Sequence, residues 1–242
     1  MKSIRRYYVH LTLLAAFVFA GIWGMAQSRA ARTAAMPPEA AAPTVVLDAG
    51  HGGEDGGAST ADGVPESQIN LAVTLRLDAL LRLLGYDTVL VRTDDRAIYS
   101  ADARTLSEKK VSDIKNRVAL VEQTPDALLV SIHQNTFPEE KYSGAQVFSA
   151  PTAGSERLAE LAQGLLCAAV DPDNHRKSKP VAQSVYLMNH ITCTAILAEC
   201  GFLSNEREAA ALRTPGYQTK LAMALCAAVN AYTKECMPGG KI

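Results

Sequence analysis

Between Thr44 and Glu199 the chain alternates short, unbroken apolar runs with longer stretches in which apolar residues return every three or four positions. The short runs read as strands at 44–49 (TVVLDA), 87–92 (DTVLVR), 127–133 (ALLVSIH), 145–150 (AQVFSA), 184–188 (SVYLM) and 194–199 (TAILAE). Apolar runs without strict alternation suit strands covered on both faces. The stretches between them read as helices. Over 66–84, Ile69, Val73, Leu77, Leu80 and Leu84 fall on one stripe, and Gly85 follows as a stop. A second helix is expected over 112–123, opened by a Ser112 cap with Asp113 in its first turn, and amphipathic spacing continues over 155–170 and 216–234. Strands alternating with helices predict an α/β fold: a single three-layer domain over 44–236, with a central, mostly parallel, twisted sheet of about six strands flanked by helices.

The first residues follow a different pattern. Lys2, Arg5 and Arg6 precede an uninterrupted apolar run from Leu11 to Met25, and small residues follow, which is the layout of an export signal. Residues 1–26 are therefore expected to be a signal peptide or, if uncleaved, an N-terminal membrane anchor. Residues 27–43 read as an Ala/Pro-rich linker and 237–242 as a short tail. This organisation places the folded part outside the cytoplasmic membrane. With 24 basic and 25 acidic side chains the formal charge is −1, which argues against nucleic acid as a partner. The five cysteines are scattered, form no C-x-x-C pair, and read as small buried apolar residues, although export leaves open a disulfide with one thiol over.

In open α/β sheets ligands bind beyond the carboxyl ends of the strands. His51 follows the first strand, His133 closes the third and Glu199 closes the last, while Glu66 opens the first long helix. Two imidazoles and a carboxylate form a set that zinc accepts in catalytic sites, and a further carboxylate can serve as general base. Each residue also has a plainer reading. His51 sits in the glycine loop GHGGEDGG and can orient a turn, but that loop lacks the G-x-G-x-x-G spacing, and Glu54 and Asp55 would repel a phosphate. His133 can be a satisfied core histidine, and Glu66 can be an acid favoured at a helix N-terminus. Glu199 is the hardest to explain plainly, since a carboxylate in an apolar strand is costly unless paired. Cys200 as a nucleophile with His133 as its base is a further alternative, and Asp48 is a candidate acceptor for the free N–H of His51.

Taken in order, VVLDAGHGGEDGGA, ESQINLAV, NRVALVEQTPDALLVSIHQNTF and AILAECGFLSN followed by EREAAALR resemble the zinc-dependent N-acetylmuramoyl-L-alanine amidases of bacterial cell walls, and among them the spore-cortex type. The resemblance implies one Zn2+ per chain held by His51, Glu66 and His133, with Glu199 as the catalytic glutamate. It implies hydrolysis of the amide between N-acetylmuramic acid and L-alanine in peptidoglycan, and location at the wall or in the spore intermembrane space. Asn135, close to His133, and Arg176, in a basic loop, are expected to contact substrate. The polar stretch 93–111 offers no evident occluding helix, so access is open or controlled by a separate activator protein. A zinc peptidase or deacetylase acting on the wall, and a non-catalytic wall-binding module, are the competing readings.

Overall fold

Strand β1 (Thr44–Ala49) is buried from Val45 onward and lies between two neighbours, which its apolar run requires. The other strands are β2 (Thr88–Leu90), β3 (Ala127–Asn135), β4 (Gln146–Ser149), β5 (Lys179–Pro180) and β6 (Thr194–Phe202). A computed structural model describes residues 42–236, and its six-stranded sheet runs in the order β2-β1-β3-β6-β4-β5. β1 pairs in parallel with β2 and β3, and β3 with β6. β4 reverses, pairing antiparallel with β6, and β5 pairs in parallel with β4, so the two strands at that edge run opposite to the other four.

The helices are α1 (Glu66–Leu83), α2 (Leu106–Gln123), α3 (Ser155–Val170), α4 (Tyr186–Asn189), α5 (Glu206–Leu212) and α6 (Pro215–Cys236). Strand alternation divides the core into two clusters. Val45, Leu47, Leu128 and Val130 pack with Val73 and Leu77 of α1, Leu158 of α3 and Leu225 of α6. Val46, Leu129 and Leu197 point the other way, toward Val121 of α2 and Leu187 and Met188 of α4. The result is the expected three-layer α/β domain. The anticipated signal or anchor, most of the linker and the tail lie outside the described residues. Among those that are described, no helix is long and apolar enough to cross a membrane.

Three expectations change. The run 184–188 is not a strand but overlaps helix α4, one turn long, and the sixth strand is instead the two-residue β5. A short apolar run does not by itself separate a strand from a buried helical turn. Helix α2 begins at Leu106 rather than near Ser112, because Thr105 and Glu108 form a reciprocal capping box, a T-x-x-E pattern within the stretch read as loop. On α1 the fully buried position is Leu81, not Leu84, which lies past the helix end and is 43% exposed.

Candidate metal centre

The site is assembled where β1, β3 and β6 end. Side chains at 131, 133, 195, 197 and 199 share the face of Leu129, so His133 and Glu199 both project toward the α2 and α4 layer. The parallel register sets His133 directly opposite Glu199. Neither residue ends its strand: β3 runs on to Asn135 and β6 to Phe202, with a register shift after His133.

His51, Glu66 and His133 each offer one ligand atom, and those three atoms lie within 4.8 Å of one another. His51 Nε2 is 3.4 Å from Glu66 Oε2, and His133 Nδ1 is 3.0 Å from Glu66 Oε1. The imidazole rings meet edge to face at 5.0 Å. Glu66 is almost wholly buried, yet it is held by more than the dipole of α1. Its Oε1 accepts from Gln134 N and Asn70 Nδ2, and its Oε2 accepts from Ala58 N. Burial raises its pKa, but the His133 hydrogen bond and the two imidazoles outweigh it and bring the carboxyl down to about 2. Glu199 is the opposite case. Burial pushes its carboxyl up to about 7 despite the opposing pull of His133, and its Oε2 is buried with no hydrogen-bond partner among the described residues.

The glycines of the loop make room for these side chains. A Cβ at Gly50 would stand 2.2 Å from His133 Cε1, and one at Gly57 would stand 2.5 Å from Glu66 Oε2 and 2.7 Å from His51 Cδ2. Gly57 also holds φ +72°, and His51 itself is left-handed at φ 61°. This arrangement fits a loop folded around ligand side chains rather than around a phosphate.

Asp48, the expected partner of His51, turns away from it. It pairs with the Arg117 guanidinium of α2 and accepts from Ser131 Oγ at 2.6 Å. Asp55 takes that place instead, with Oδ2 3.0 Å from His51 Nδ1. Glu54 pairs with Lys109, and Asp55 Oδ1 lies 2.9 Å from Lys110 Nζ. Sequence reasoning missed two buried arginines that hold the loop from behind. Arg117 donates to the carbonyls of Ala49 and His51, and Arg92 to those of Ala49, Gly50 and Ser67. For Arg117 the available signal was its spacing four residues after Asp113 on one helix, a pair that the fold brings to 2.6 Å.

A groove opens over the cluster. Lys110, Asp113 and Ile114 of α2 line it on one side, Val185 to Met188 with Tyr186 line it on another, and Glu199 and His133 lie among its lining residues. Asn135 and Arg176 are not among the residues lining it. The Asn135 carbonyl accepts from Leu203 N, and Arg176 stacks over Phe202 and donates to Ser143 O. Cys200 faces the opposite side of β6 from Glu199, inside the core, where burial pushes its thiol up to about 12, an environment opposed to that of a reactive thiolate. All five cysteines are free.

The family model for N-acetylmuramoyl-L-alanine amidase matches residues 45–231. The germination-specific N-acetylmuramoyl-L-alanine amidase of Bacillus subtilis (strain 168) is 34% identical over 192 residues, covering 79% of this chain and 80% of that protein. Among solved structures, the CwlD amidase from Clostridioides difficile in complex with the GerS lipoprotein superposes with a TM-score of 0.77 at 37% identity, covering 80% of this chain and 99% of the other. An N-acetylmuramoyl-L-alanine amidase from Clostridium difficile 630 superposes with a TM-score of 0.67 at 27% identity, covering 80% and 97%. With the family model matching residues 45–231 and a relative 34% identical over most of both chains, the chain belongs to the N-acetylmuramoyl-L-alanine amidase family of cell-wall hydrolases.

Proposed function

We propose that the chain is a zinc amidase that cleaves the bond between the lactyl carbonyl of N-acetylmuramic acid and the amine of L-alanine in peptidoglycan, with Glu199 moving the protons. The observation that carries this reading is the convergence of His51, Glu66 and His133 within 4.8 Å, beside a Glu199 whose Oε2 is buried and unpartnered among the described residues. The residues fit zinc: two neutral nitrogen donors and one carboxylate are a common catalytic set, and Gly50 and Gly57 leave the space that set needs. Bound there, zinc supplies a Lewis acid for the scissile carbonyl and lowers the pKa of a water molecule.

The protein's own residues do the rest. Glu66 stays ionised in the buried site through its backbone and side-chain donors, so it offers negative charge without rearrangement. Glu199 Oε2 accepts a proton from the attacking water as the new C–O bond forms at the lactyl carbon. It then delivers that proton to the nitrogen as the C–N bond breaks, which frees the amine of L-alanine; the new carboxyl group on the sugar gives up the second proton of the water, and the amine takes one up near neutral pH. The groove offers the substrate an apolar wall at 185–188 and a charged wall on α2.

The spore-cortex role is supported by likeness to the germination-specific relative and to CwlD, and action outside the membrane by the export pattern at 1–26. The solved CwlD is bound to a lipoprotein, which supports a separate partner that acts on the enzyme outside the membrane.

The test is digestion of purified wall followed by mass spectrometry. Release of stem peptides beginning with a free L-alanine amine is the expected result, abolished in Glu199→Ala while zinc remains bound. Products that keep L-alanine on the muramic acid would show a peptidase, and loss of acetyl groups alone would show a deacetylase.

A further inference from the structure

Asp55 takes no part in the chemistry assigned above, yet it is built into the same loop. Its Oδ2 lies 3.0 Å from His51 Nδ1, while the Nε2 of that ring faces Glu66 Oε2. An imidazole whose Nδ1–H is held by a carboxylate presents the Nε2 lone pair, so this contact selects the tautomer and the ring orientation together. Asp55 is itself held. Two backbone hydrogen bonds, 2.8 and 3.2 Å, close the loop between Gly52 and Asp55, and Lys110 Nζ stands 2.9 Å from Asp55 Oδ1. Lys110 and Arg117 are seven residues apart on α2 and so share one face. From that face Arg117 Nη2 donates to the carbonyl of His51 at 2.7 Å, holding its backbone, while Lys110 reaches its ring through Asp55.

We propose that Asp55 is a positioning residue that fixes the tautomer and orientation of His51 toward the metal, and that Lys110 of α2 holds Asp55 in place. The proposal rests on the metal-site reading given above. A neighbouring pair provides the control. Glu54 and Lys109 belong to the same loop and the same helix and form an ion pair, but Glu54 touches none of the three metal-facing residues.

The experiment measures the zinc dissociation constant of the full chain by competition with a chromophoric chelator, and the visible spectrum of the cobalt-substituted protein. Asp55→Ala is expected to weaken zinc binding about 10- to 100-fold and to alter the cobalt spectrum, as removal of such outer partners does. Asp55→Glu should restore part of the loss, Lys110→Met should weaken binding by a smaller factor, and Glu54→Ala should leave both readouts unchanged. Should Asp55→Ala fail to fold, the isosteric Asp55→Asn carries the test, with weaker zinc binding still expected. Wild-type affinity and an unaltered cobalt spectrum in Asp55→Asn would overturn the proposal. So would a lower melting temperature of the zinc-free protein with no change in affinity, because that pattern belongs to a loop-closing role alone. A wild-type chain that shows this zinc pattern but releases no stem peptide would sink the amidase reading and leave the role of Asp55 standing.

Discussion

His133 and Glu199 stand directly opposite each other on the parallel strands β3 and β6, on the sheet face that α2 and α4 cover. Sixty-six positions apart in sequence, they are brought together by one register, and a slip of a single residue would turn one of them to the far face. The same parity sends Cys200 into the core, which separates the two adjacent residues chemically.

Replacing Glu199 by Gln keeps the shape of the side chain and removes its capacity to carry a proton. Turnover of muropeptide should fall by about 10²- to 10⁴-fold, the range of a lost general acid–base group, with KM little changed. Steady-state kinetics on a defined muropeptide, with zinc content measured in parallel, checks this. Near-normal kcat would remove Glu199 from the reaction.

Gly50→Ala introduces a methyl group at a position where 2.2 to 2.6 Å separate an ideal Cβ from three atoms of the His133 ring. Because the backbone at Gly50 is not left-handed, the damage should fall on the ring rather than on the turn. The variant is expected to fold, to bind zinc weakly and to be inactive. Stoichiometric zinc in a purified, fully active variant would contradict the packing described.

The buried pair of Asp48 and Arg117 makes stability depend on pH. Burial raises the Asp48 pKa, but Arg117, His133 and Ser131 together outweigh it and hold the carboxyl below its ordinary range. A lowered native pKa contributes stability above the unfolded value, near 3.9, and loses it as pH falls through the native value. The thermal midpoint should therefore change little from this pair between about pH 5 and 7 and fall at more acid pH. Arg117→Met strands the charge of Asp48 and should cost about 3–5 kcal/mol, whereas Asp48→Leu combined with Arg117→Met should recover much of it. Denaturant melts of the single and double variants decide the matter, and equal losses in both would refute the pairing.

Thiol chemistry separates the metal reading from a cysteine nucleophile. Cys236 is exposed and should react readily with a thiol reagent, while Cys200, buried with its thiol pushed up to about 12, should react only on unfolding. Full alkylation of the accessible thiols should leave amidase activity intact, as followed by amine release. Inactivation at a rate matching modification of Cys200 would reopen that alternative.

The sequence by itself determined the α/β class, five of the six strands and the long helices, because apolar period and length report burial on each element without reference to its neighbours. That His51, Glu66, His133 and Glu199 are polar side chains at the borders of apolar runs and at the start of a helix was also legible. The tertiary structure decided what those residues touch. That Asp55 rather than Asp48 serves His51 depends on the left-handed turn at His51, and that Asp48 meets Arg117 depends on how α2 packs over β1. The conversion of run 184–188 into helix α4, and the absence of Asn135 and Arg176 from the groove lining, likewise follow from packing between distant segments. Periodicity is a one-dimensional record of burial, whereas partner choice is set by distances across the fold, and those exist only once the sheet register and the helix placement are fixed.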